Sequence, residues 1–121
     1  MNKYTELSDF EINLKVAHIV LGKDNYDWCP DKKEVYFAGI DGGEFLPHGY
    51  FDPCNNPSDA MPIIIENKIC TAFDVFAEEH DGGNWVASPA YGFANERARS
   101  NNLYRAAMEL FLLMKDAENE D

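Results

Sequence analysis

A chain of 121 residues, 45% hydrophobic and 13% aromatic, has the length of one compact domain spanning 1–121 and enough apolar side chains for a core, which excludes wholesale disorder. Twenty-two acids against ten lysines and arginines leave a formal charge of -12, which repels phosphate backbones, so direct nucleic-acid binding is not expected. No apolar run approaches the roughly 18 residues of a membrane span, and Met1 to Glu6 is too polar for a secretory leader, so a soluble, cytoplasmic protein without membrane contact is expected.

The first predicted element is a helix over 9–21. Ser8-Asp9-Phe10-Glu11 has the form of a capping box, with Leu7 and Ile12 placed as a hydrophobic staple. Ile12, Val16, Ile19 and Val20 share one face, and Gly22 is suited to end the helix in a left-handed conformation. Residues 23–33 read as polar and turn-rich. Val35-Tyr36-Phe37 predicts a strand over 34–39, and Gly39 to Asn56 reads as a long loop, a class that is often functional. Asn56 as N-cap and Pro57 at the first helical position predict a helix over 57–67, shortened or kinked by Pro62. A β-hairpin pairs 69–77 with 84–87, the Asp81-Gly82 step supplying its turn, and 88–101 reads as loop. Leu103, Ala106, Ala107, Leu110, Phe111 and Met114 form a helical stripe over 102–116, capped by Asn101 or Asn102. The fold class is α+β: a small antiparallel sheet of three to four strands packed by the 9–21, 57–67 and 102–116 helices. An uncovered sheet edge of this kind favours a homodimer.

Charge is placed unevenly by type. All five bases of the first 60 residues are lysines, whereas the three arginines, Arg97, Arg99 and Arg105, fall within nine residues. Their planar forks suit carboxylate or phosphate, so an anion would dock there if anywhere; pairing with neighbouring acids, such as Arg105 with Glu109 four residues on, is the competing reading. Cys54, Asn55 and Asn56 precede a helix N-terminus, with Asp59 in its first turn, and offer amides and free backbone N–H groups to a polar ligand. Plain capping by the same asparagines is the alternative. Cys29, Cys54 and Cys70 make no paired spacing, nor do His18, His48 and His80, so no disulfide framework, metal site or cofactor is expected. A Cys54 thiolate, its pKa lowered by the helix and served by His48, would make a small cysteine enzyme.

The segments Glu6-Leu7-Ser8-Asp9-Phe10-Glu11-Ile12-Asn13, Phe51-Asp52-Pro53-Cys54-Asn55-Asn56-Pro57-Ser58-Asp59-Ala60-Met61-Pro62, Trp85-Val86-Ala87 and Arg105-Ala106-Ala107-Met108 resemble, in this order, the NinX-like family of small phage and prophage proteins, a domain of unknown function. The chain departs from that pattern at Asn102-Leu103-Tyr104, where the family carries a proline-leucine step. The resemblance implies phage or prophage origin and residence in a bacterial host's cytoplasm. It implies no activity, catalytic residue or cofactor. The expected function is therefore non-enzymatic: an accessory protein binding a host or phage partner, or a small polar or anionic ligand, through Cys54, Asn55, Asn56, Asp59, Arg99 and Arg105. Two alternatives remain at this level, an acidic DNA-mimicking decoy for a basic host protein and the cysteine enzyme.

Overall fold

The computed structural model describes residues 2–37, 49–90 and 96–119. Helix α1 spans Asp9–Val20 and opens with the expected capping box: Ser8 Oγ accepts the Glu11 N–H at 3.1 Å while Glu11 Oε1 accepts the Ser8 N–H at 3.2 Å. Gly22, at φ 91°, turns the chain out of it. Two short strands follow, β1 (Tyr26–Cys29) and β2 (Glu34–Phe37), paired antiparallel with Trp28 opposite Val35. The turn-rich reading of 23–33 thus missed a strand. Tyr26 and Trp28 alternate with Asp27, but the run is four residues long and bounded by Asn25 and Pro30, too little for periodicity to register. Residues 49–51 lie beside β2, with the Phe51 N–H donating to Val35 O at 2.8 Å. The remainder of the expected 39–56 loop before Gly49, including Asp41-Gly42-Gly43 and His48, lies outside the described residues.

Helix α2 (Pro57–Glu66) starts as predicted, Asn56 Oδ1 accepting the Ser58 N–H at 3.0 Å. It runs through Pro62, which is exposed, so water can serve the carbonyl left without its helical donor. Ile63 and Ile64 face inward. A three-stranded antiparallel sheet follows, ordered β3 (Cys70–Phe73), β4 (Trp85–Ser88), β5 (Ala98–Ser100). The β3–β4 hairpin is the expected one, although the Asp81-Gly82 step is not its tight turn. It closes a short 3₁₀ turn, Glu79–Asp81, within a longer connection, with Gly82 left-handed at φ 99°. Strand β5 corrects the reading of 88–101 as loop; residues 91–95 of that stretch lie outside the described residues. Gly83 sits so close to β5 that a Cβ would collide with the Ser100 backbone, and its φ of 138° suits only glycine.

Helix α3 (Leu103–Asn119) is the centre of the molecule. It packs on β4 and β5, on α1 and on α2. Every residue from Arg105 to Leu112 is buried, so for two turns the helix is enclosed on all sides. The apolar stripe read from the sequence is there, but the opposite face is also covered. The α+β class and the three helices hold, with five strands among the described residues divided between two small sheets.

Candidate functional site

Enclosing α3 forces two charges inside. Arg105 Nε donates to Glu109 Oε2 at 2.7 Å, one turn along, with the Glu109 side chain 3% exposed. One terminal nitrogen donates to Asp9 Oδ1 at 2.7 Å, the other to the carbonyls of Tyr4 at 3.0 Å and Leu7 at 2.7 Å. The guanidinium thus pins the segment before α1 onto α3, across about a hundred residues of sequence. Burial opposes its charge, but its hydrogen bonds to the Asp9 and Glu109 carboxylates prevail and hold its pKa above the usual arginine value.

Asp9 carries the network outward. Its second oxygen accepts from Asn55 Nδ2 at 3.2 Å, and Asn55 also donates to Asp52. Asn102 has two duties. Its Oδ1 caps α3 by accepting the Tyr104 N–H at 2.9 Å, while its Nδ2 donates to Cys54 O at 2.8 Å and to Asn55 Oδ1 at 3.1 Å. Asn13, on the core-facing side of α1, donates to Asp52 Oδ1 at 2.7 Å and accepts the Cys54 N–H at 3.0 Å. Sequence reasoning passed over Asn13 and Asp52. The available signal was an asparagine in mid-helix beside Ile12 and Val16, where a buried amide must find partners.

The structure therefore brings Cys54, Asn55, Asn102 and Arg105 into one connected cluster. Asn56 is outside it, occupied as the α2 cap, and Asp59 accepts the Asp52 N–H at 2.9 Å, fixing the loop before that helix. Cys54 corrects an expectation. Its thiol is fully buried, and burial, reinforced by Asp9, pushes its pKa well above the ordinary thiol range, the reverse of an activated thiolate. His48, the proposed base, lies outside the described residues. Among the described residues no group of three or more His, Cys, Asp or Glu side chains is arranged to hold a metal ion.

Two adjoining clefts lie beside this cluster, sharing Thr5, Gly82 and Arg99. The larger, about 340 Å³, is lined by Arg99, Ser100, Asn101, Asn102 and Arg105, and also by the carboxylates Asp9 and Glu109. The smaller, about 190 Å³, is lined by Arg97, Arg99, Asn2 and Asp81. All three arginines of the chain thus border one continuous recess, and they are engaged to very different degrees. Arg105 is saturated from within. Arg99 bonds Asp74 Oδ2 at 2.9 Å and Gly83 O at 3.3 Å, keeping its remaining N–H groups for the cleft. Its hydrogen bond, with one from the Phe76 N–H, holds Asp74 below the usual carboxylate range. Arg97 is exposed and donates only to its neighbour's carbonyl, Glu96 O, at 2.8 Å; no carboxylate pairs with it among the described residues.

A family model described as Bacteriophage P22, NinX matches residues 3–115. The chain belongs to that family. The match takes in α1, the Cys54–Asn56 segment, most of α3 and every cleft residue but Asn2, so the polar cluster and the three arginines lie inside the NinX domain rather than in an appendage to it. No curated protein and no solved structure matches the chain. Among the described residues no helix is long and apolar enough to cross a membrane.

Proposed function

We propose that this NinX-family phage protein works in the host cytoplasm by non-enzymatic binding, and that the recess between β5, the 3₁₀ turn and the N-terminal segment holds a small anionic ligand. One observation carries the reading: in a chain of formal charge -12, every arginine borders the same recess. Arg97 and Arg99 supply the open N–H donors, and Asn101 and Ser100 add polar groups suited to phosphate or carboxylate oxygens. Arg105, Asn102 and Asn55 act one layer below, as the fixed floor that sets the position of β5 and the chain before α1. The Arg105 guanidinium is balanced by Asp9 and Glu109, so it fixes the shape of the floor and leaves attraction of the ligand to Arg97 and Arg99. Asp81 and Asp9 also line the recess, so the ligand is a compact one that meets Arg97 and Arg99 while staying clear of those carboxylates.

Isothermal titration with inorganic phosphate and with citrate tests this. Wild type should bind at least one of them, with affinity falling as salt rises. Arg97→Ala should lose at least tenfold in affinity with an unchanged melting temperature, since that side chain supports nothing in the fold. Equal binding by wild type and Arg97→Ala, or no binding of either anion, overturns the proposal.

A further inference from the structure

At the opposite edge of the three-stranded sheet from the arginine recess, β3 presents a different surface. Phe76, Val75 and Phe73 are 88%, 69% and 52% exposed, a run of large apolar side chains that a soluble surface rarely leaves open. They lie at and just beyond the end of a strand, Cys70-Thr71-Ala72-Phe73, with no charged residue, proline or bulge to guard its outer edge. The pairing register shows which backbone groups that edge offers. The Asp74 N–H donates to Asn84 O at 2.7 Å, so the residues two and four positions earlier, Ala72 and Cys70, also turn toward β4. Thr71 and Phe73 therefore direct their N–H and C=O groups away from the sheet, and no partner meets them among the described residues.

We propose that this edge is a homodimer interface, in which β3 of two copies pairs antiparallel across a two-fold axis. Charge selects a second copy as the occupant. A chain this acidic repels itself over most of its surface, but from Lys68 to Ala77 the charged residues are Lys68 and Asp74, and Asp74 is neutralised by Arg99 at 2.9 Å. That is ground on which two like-charged molecules can meet. The register follows from the ends of the strand. The Ile69 N–H is already bonded to Ile64 O at 3.0 Å, so the free groups available for pairing are those of Thr71 and Phe73. Pairing Thr71 with the partner's Phe73 places Ala72 on the axis, joins the two sheets into one of six strands, and brings the exposed aromatic side chains of both copies under a common cover.

Sedimentation of the full chain tests this together with three variants. Wild type should be dimeric at tens of micromolar. Phe76→Asp, at a fully solvated position, and Thr71→Pro, which removes an outward N–H and no bond within the sheet, should each weaken the dimer at least tenfold without changing the circular dichroism spectrum. Ala72→Cys should give a disulfide-linked dimer with oxidised glutathione, because a non-hydrogen-bonded pair on the axis brings the two Cα atoms within disulfide reach. A wild type that stays monomeric at about 1 mM, or a dimer indifferent to both Phe76→Asp and Thr71→Pro, overturns the proposal. Neither result bears on anion binding at the other edge.

Discussion

Arg105 and Arg97 sit on the same recess, eight positions apart, and do opposite work. Arg105 is enclosed and meets two carboxylates and two backbone carbonyls at 3.0 Å or less; Arg97 is exposed and meets one carbonyl of its neighbour. The difference lies in how many acceptors the chain itself provides. An arginine surrounded by its own chain's oxygens belongs to the fold, and one left short of them is available to a ligand. Arg99 stands between, with Asp74 and Gly83 O taking part of its fork.

The comparison can be broken most forcefully at Arg105. Arg105→Met leaves Glu109 buried without its charged partner, with only Asn2 Nδ2 still donating to it, and releases the carbonyls of the first segment, so urea denaturation should show a loss of about 3–5 kcal/mol. Adding Glu109→Leu should recover much of that loss, because the stranded charge is then gone. Arg105→Lys should also be strongly destabilising, since one ammonium cannot reach acceptors spread around a planar fork. Asn13→Ala, which removes the partner of Asp52 and of the Cys54 N–H, should cost about 1–3 kcal/mol by the same measurement. Ser8→Ala, which removes the cap of α1, should cost about 1 kcal/mol.

The smallest effect concerns the partly engaged arginine. Asp74 has a folded-state pKa below its unfolded one, so its ion pair stabilises the protein fully above the unfolded value, near pH 4, and ceases to do so as pH falls through the lower folded value. Arg99→Gln should therefore narrow the difference in melting temperature between neutral and acid pH, and should match wild type once Asp74 is protonated. A variant whose acid limb superimposes on that of wild type throughout would show the pair to be inert.

Much of the fold was readable because local chemistry and packing agree. Ser8 and Glu11 cap α1 as their spacing requires, Asn56 and Pro57 start α2, and Asn102 starts α3. What escaped was non-local. Strands β1 and β5 hold four and three residues and exist through their neighbours, β2 and β4, rather than through any run of their own. The candidate site divides in the same way. Clustering of arginines was visible at once. That Arg105 would spend its donors on Tyr4, Leu7 and Asp9 was not, because those partners lie about a hundred positions away. Equally, the Arg105–Glu109 pair was legible from its four-residue spacing, but not its burial, which comes from the enclosure of α3.

That enclosure also bears on how the molecule comes into being. Each element against which α3 packs precedes it in the chain, and the guanidinium that fastens the segment before α1 arrives with α3. During vectorial synthesis, α1, α2 and the three-stranded sheet emerge with the faces that α3 covers still open, and only the β1–β2 pair finds its packing partner, α1, already made. The structure around α3 must then form in a late step once residue 112 is free to dock, and a ribosome-bound chain halted before Leu103 should remain protease-sensitive across α2 and the three-stranded sheet.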